Sequence, residues 1–183
     1  ADIVKSAGAA STLRGSVVSV NVGDRTSASA QSITAQGAGF AAGAGAFAIA
    51  NNASNSTLNL DRVRIYGDSL IQLNNINSGT ASSTALGAAL AGGGAIVVSR
   101  ASSDLSATLL TDLNASEITA ARVEILTQIT SDPVRGDNVR SDAQTLTLAG
   151  ALAGSGAESL AYTAYSVTTN VGGGADNVVA TSI

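Results

Sequence analysis

Apolar residues recur at every second position along much of this chain. In "AFAIA" Phe47 and Ile49 alternate with Ala, in "STLNLDRVRIY" Leu58 and Leu60 and then Val63 and Ile65 alternate with polar residues, and in "SLIQL" Ile71 and Leu73 share a side. The same alternation returns in Ile96 and Val98, in Leu105, Ala107 and Leu109, in Ile118 and Ala120, and in Val123 and Ile125. A period of two predicts short, half-buried strands. The clusters between them, "NNASNS", "NNINSGTASS" and "SDPVRGDN", have the composition of turns. An amphipathic helix can be drawn through "ASEITAARVEILTQI". Each interior Gly costs a helix about 1 kcal/mol, however, and Gly92, Gly93 and Gly94 are consecutive. Abundant Val, Ile and Thr also favour strands.

The chain repeats itself. Leu86–Ala95, "LGAALAGGGA", superimposes on Leu148–Ala157, "LAGALAGSGA", at an offset of 62, and "AGAGA" at 42–46 matches the same block at an offset of 49. "DRVRIY" at 61–66 answers "ARVEIL" at 121–126, which places an insertion of 11 residues near "TLLTDLNASEI" and predicts a loop over 108–118. Imperfect repeats of about 50–60 residues fit two to three coils each, at roughly 20 residues per coil. The expected fold is all-β: a parallel β-solenoid, or β-helix, running as a single segment over 1–183, with 1–34 forming less regular first coils or a cap. Eight or nine coils at about 4.8 Å each would build a rod about 40 Å long. Inward Ala would let opposing sheets approach closely, Gly would allow tight corners, and Phe47 and Ile49 would restore bulk.

Composition sharpens this picture. The 183 residues include 35 Ala and 20 Gly but only 3% aromatics, so a thick core of bulky side chains is not expected. Nine basic and 13 acidic residues give a net charge of −4 with no basic cluster, which argues against nucleic acid as a partner. Cys, His, Met and Trp are absent, so thiolate and imidazole metal sites and Ser-His-Asp or Cys-His nucleophiles are excluded. The small-residue blocks are too short to span a bilayer, despite the GxxxG spacing of Gly39 and Gly43. No cofactor, metal or membrane insertion of this segment is expected.

"AGAGAFAIANNASNSTLNL" followed by "DRVRI", and "ALAGGGAIVVSRASSDLSATL" followed by "ARVEI", resemble the Ala/Gly-rich repeats of very large secreted bacterial filamentous adhesins, including leukotoxin-like and filamentous-haemagglutinin-like exoproteins. The resemblance covers about residues 35–183. It implies a structural, noncatalytic stalk on the bacterial cell surface, whose partners are neighbouring repeats or copies of the same protein and, through its loops, host surfaces or other cells. A second expectation is a filament or matrix subunit joined end to end through open sheet edges.

Three candidate sites stand out. Arg135, Gly136 and Asp137 spell RGD in a polar stretch after the one proline, Pro133, and form a candidate contact loop. "VGGGADNV" approaches the calcium nonapeptide through Gly172, Gly174 and Asp176, but such sites need tandem copies and one copy is present. Asp61, Asp68, Asp104, Asp112, Glu117 and Glu124 are available for hydrolytic chemistry, yet they recur in no clustered motif and the aromatics that stack sugars are few.

Overall fold

The computed structural model describes residues 2–4, 11–114, 116–130, 138–173 and 177–182. Nine strands follow one another with no helix among these residues: β1 (Asp2–Val4), β2 (Ser11–Ala38), β3 (Ala41–Asp61), β4 (Val63–Ala91), β5 (Gly94–Asn114), β6 (Glu117–Thr130), β7 (Val139–Ala149), β8 (Leu152–Gly173) and β9 (Asn177–Ser182). Every pairing is parallel. One sheet, sheet A, runs β1-β3-β5-β8, and the other, sheet B, runs β2-β4-β6-β9 with β7 also on β4. The chain passes from one sheet to the other and back on each circuit, which makes the fold a parallel β-solenoid.

The repeat of 50–60 residues is one coil, not two or three. Ala41 on β3 lies beside Gly94 on β5, and Gly94 beside Leu152 on β8, so successive circuits take 53 and then 58 residues. The strands are correspondingly long: β4 has 29 residues, about 95 Å of extended chain. Sheet A is only four strands across, about 15–20 Å, so the molecule is a flat blade rather than a rod of many small coils. The polar clusters at 51–56 and 74–83 lie inside β3 and β4, where turns were expected.

Two further expectations change. In place of the loop expected over 108–118, Thr108–Asn114 end β5 in unbroken pairing with Asn55–Asp61, and Glu117 and Ile118 open β6. The extra residues enter later. Ser78 pairs Thr130 and Ala81 pairs Val139, so eight residues separate the strands of one coil where two suffice on β4. Over 11–34, where a less regular start or cap was expected, β2 pairs with β4 with one register shift between Gly15 and Val17.

The core lies between the sheets and is graded along the strands. At the Arg62 turn it is aliphatic, built by Leu58 and Leu60 of β3, Ile65 and Ile71 of β4, Leu113 of β5 and Ile118 of β6. At the opposite turn, where Gly92 and Gly93 connect β4 to β5, it is Ala: Ala42, Ala46 and Ala48 face Ala85, Ala89 and Ala91. Phe47 and Ile49 do not fill this region. They point outward, 62% and 65% exposed, and Ile96 and Val98 do the same. Along β3 the inward set is every even residue from Ala42 to Leu60, so parity and not bulk decides which side faces the core.

Between these ends runs a buried polar band. Asn75 Nδ2 donates to the Leu110 carbonyl at 2.9 Å and the Ser56 carbonyl at 3.2 Å, while Ser56 Oγ donates to Asn75 Oδ1 at 2.6 Å. Asn52 Nδ2 donates to the Thr80 carbonyl at 2.9 Å, and Ser103 Oγ lies 2.7 Å from the Arg140 carbonyl oxygen. All but the Ser56–Asn75 side-chain pair join a side chain on one sheet to the main chain of the other. A serine can reach a facing carbonyl only if the sheets stand at roughly half the ~10 Å of ordinary stacked sheets. Gly87 sits where this approach is tightest, since a Cβ there would lie 2.6 Å from both Ser99 Oγ and Val97 Cγ1.

Candidate contact surfaces

The broad edge of the blade, at the thick aliphatic end, is charged and paired from coil to coil. Arg62 turns the chain from β3 to β4 with a left-handed φ of 54°, and its main-chain N–H donates to the Asn114 carbonyl at 2.9 Å. Arg62 also pairs with Asp61 at 3.1 Å, and Asn114 Nδ2 donates to the same carboxylate at 2.9 Å. Arg64 meets Glu117 at 3.2 Å, Arg122 meets Glu124 at 2.6 Å, and Gln72 Nε2 donates to Glu124 at 2.8 Å. Arg14 lies 4.8 Å over the Tyr66 ring. Arg64 and Glu117, Gln72 and Glu124, and Arg14 and Tyr66 are register neighbours on adjacent strands. Exposed pairs of this kind contribute little each, up to about 1 kcal/mol, but they fix which coil meets which.

This geometry accounts for three of the carboxylates considered for hydrolysis. Asp61, Glu117 and Glu124 are held by Arg, Asn or Gln partners. Asp104 and Asp112 stand eight residues apart on β5, about 26 Å, far beyond the 5–9.5 Å that a pair of glycosidase carboxylates needs. Among the described residues no three Asp or Glu side chains gather as metal ligands, and no helix is long and apolar enough to cross a membrane. The RGD triplet, Arg135, Gly136 and Asp137, lies outside the described residues. So do Gly174 and Asp176 of the calcium-like stretch, while Gly172 falls in β8.

The thin edge is chemically opposite. Its turns are themselves laddered: Gly92 N–H donates to the Gly39 carbonyl at 3.2 Å, Gly93 N–H to the Phe40 carbonyl at 2.8 Å, and Ala151 N–H to the Gly93 carbonyl at 2.9 Å. A side chain on Gly92 would collide with the Gly39 carbonyl oxygen at 2.5 Å, so this stack is closed to any larger residue. Phe40 projects from the turn, 83% exposed. Flanking it are Leu90, Leu146 and Leu148 on the outer face of sheet B, and Ile96, Val98 and Leu152 on the outer face of sheet A, all exposed.

Sequence reasoning missed this outer apolar surface, because it assigned bulky residues to the inside. A signal was available: carrying the parity of Leu58 and Leu60 back along β3, and that of Leu105 and Leu109 back along β5, turns Phe47, Ile49, Ile96 and Val98 outward. Comparison with known protein families, curated proteins and solved structures found no match.

Proposed function

We propose that this chain is a structural, noncatalytic β-solenoid segment of an extracellular bacterial adhesin, a stiff spacer that holds contact elements away from the cell. The observation that carries this reading is the continuity of the coil-to-coil ladder. It runs through the strands, through both turns and into side-chain pairs on register neighbours, such as Asn21 with Asn74 at 2.7 Å and Ser83 with Ser141 at 3.2 Å. A structure whose every layer repeats the same bonds resists bending and shear along its whole length, which is what a spacer requires. Asp61, Glu117, Glu124 and Glu158 serve coil-to-coil pairing, which is also a structural use.

The test is mechanical. Pulled between its ends, the chain should lengthen in steps of one coil, about 190 Å of contour for 53 residues. Smooth extension without steps would sink the spacer. Antibody against the chain should also label intact cells, and labelling confined to lysed cells would sink the extracellular assignment.

One observation favours a second reading, that of a subunit joined end to end in a filament or matrix. Among the described residues the 28-residue β2 is paired on one side only, with β4. Such an edge is a template for another strand, from a neighbouring repeat or from another copy.

A further inference from the structure

The thin edge offers a surface that neither the stalk nor end-to-end joining uses. Residues 26–60 and 69–99, which include the parts of β2 to β5 at this edge, contain no charged side chain, and the Arg100–Glu158 pair marks where the uncharged stretch of β5 ends. Sheet B carries a hollow of about 410 Å³ there, floored by Ala35 and Ala88 and rimmed by Leu90, Leu146 and Leu148. Sheet A carries the opposite relief. Ile96 and Val98 on β5 have Gly43 and Gly45 beside them on β3 and Gly154 and Gly156 beside them on β8, so a one-strand aliphatic ridge rises between glycine strips, with the Phe47 ring lying over Gly45.

Both faces can leave water cheaply. The main-chain groups of β4 and β5, at the centre of the two faces, are already bonded to strands on both sides, and the turn between them is bonded coil to coil. Leu146 and Leu148 are 70% and 64% exposed, and Ile96 is 60% exposed. Each face thus presents a contiguous group of exposed large apolar side chains with rows of Ala and Gly between them, the kind of patch that marks an interaction surface.

We propose that this edge docks laterally onto a second copy of the chain, with the Ile96–Val98 ridge of one molecule seated in the Leu90–Leu146–Leu148 hollow of the next. Two arguments select a copy over a lipid surface. Ridge and hollow are both strand ladders with the same repeat of about 4.8 Å, so their corrugations mesh as packed sheets do. Elements that lie in a bilayer interface carry Trp and unpaired flanking Lys or Arg, whereas the chain has no Trp and the cation beside this ridge, Arg100, is paired with Glu158 at 3.2 Å. Because ridge and hollow lie on different faces, the contact is head-to-tail and leaves a free ridge and a free hollow on each dimer for further copies.

The intact chain is tested by sedimentation velocity over a range of concentrations. A species heavier than the monomer should grow with concentration and be lost in Ile96→Glu and in Leu148→Glu, each retaining the circular dichroism of the parent. The chain has no Cys, so Ile96→Cys and Leu148→Cys can be introduced without background. Treated with a short bis-maleimide, the double variant should give a ladder of multimers and each single variant should stay monomeric. Dimers from a single variant would mean like faces meet, and would overturn the head-to-tail contact. A monomer at all concentrations would overturn the proposal, as would association untouched by either Glu variant, and flotation with phosphatidylcholine vesicles in place of self-association would assign the edge to lipid.

Discussion

The two long edges of the blade are built by the same strands under the same ladder, yet they are stabilised in opposite ways. At the Arg62 edge the sheets are held apart by Leu58, Leu60, Ile65, Ile71 and Leu73, all fully buried, so side-chain burial at about 1.5–3 kcal/mol each dominates. At the Gly92 edge Ala faces Ala, and each buries little. There the stabilisation comes from close approach, from hydroxyl and amide groups that reach the facing main chain, and from turns bonded to one another. A solenoid of fixed strand repeat can therefore taper from an oil-filled margin to a nearly bare-backbone one within a single strand.

The taper predicts opposite sensitivities at its two ends. The largest effect is expected at the thick end, where Leu60→Ala empties a fully buried site and should lower unfolding free energy by about 2–5 kcal/mol, read from urea denaturation. Truncation should be the damaging change there. At the thin end addition should be: Gly87→Val must push Ser99 and Val97 aside and should cost about 1–3 kcal/mol, seen as a lowered thermal midpoint. If Gly87→Val is tolerated as well as an exposed substitution, the close approach of the sheets is wrong. Smallest of all should be Phe47→Ser, within about 0.5 kcal/mol despite the removal of a whole ring, because Phe47 faces outward. A loss as large as that of Leu60→Ala would return Phe47 to the core.

Period-two alternation without helix, and the parallel solenoid itself, were legible in the sequence because strand chemistry is local. The inward placement of Leu58, Leu60, Ile71, Leu73, Leu105 and Leu109 was legible too. Phe47, Ile49, Ile96 and Val98 were misplaced because hydrophobicity ranks side chains one at a time, while a strand obeys a single parity along its whole length. Asn52, Ser54 and Asn75 read as turn residues because the usual cue for a turn is composition. Here they are interior, and what admits them is a facing strand near enough to bond, through its main chain for Asn52 and Asn75 and through the Asn77 side chain for Ser54, which no single strand reveals. The candidate contacts at Arg135 to Asp137 stand on sequence alone. The apolar thin edge is a property of register, visible only once β3, β5 and β8 lie side by side.

Register has a consequence for how this chain comes to its fold. No residue of β3 can meet its β5 neighbour until 53 more residues exist, so every strand pair must close a long loop before any bond rewards it. The repeats also offer a wrong answer. Their best identity, at 62 residues between Leu86 and Leu148, sets Leu86 four places from its native neighbour, Gln144. Four is even, so a chain that docks on the identity preserves every inward and outward face and feels no immediate penalty. Even the corner is mimicked, since the slip brings Gly154 onto Gly92 in place of Gly150. What it cannot do is keep Arg100 opposite Glu158, because Tyr162 would stand there. That ion pair thus acts as a proofreading mark, and the rate at which a growing coil escapes the slipped pairing should govern how fast this protein folds.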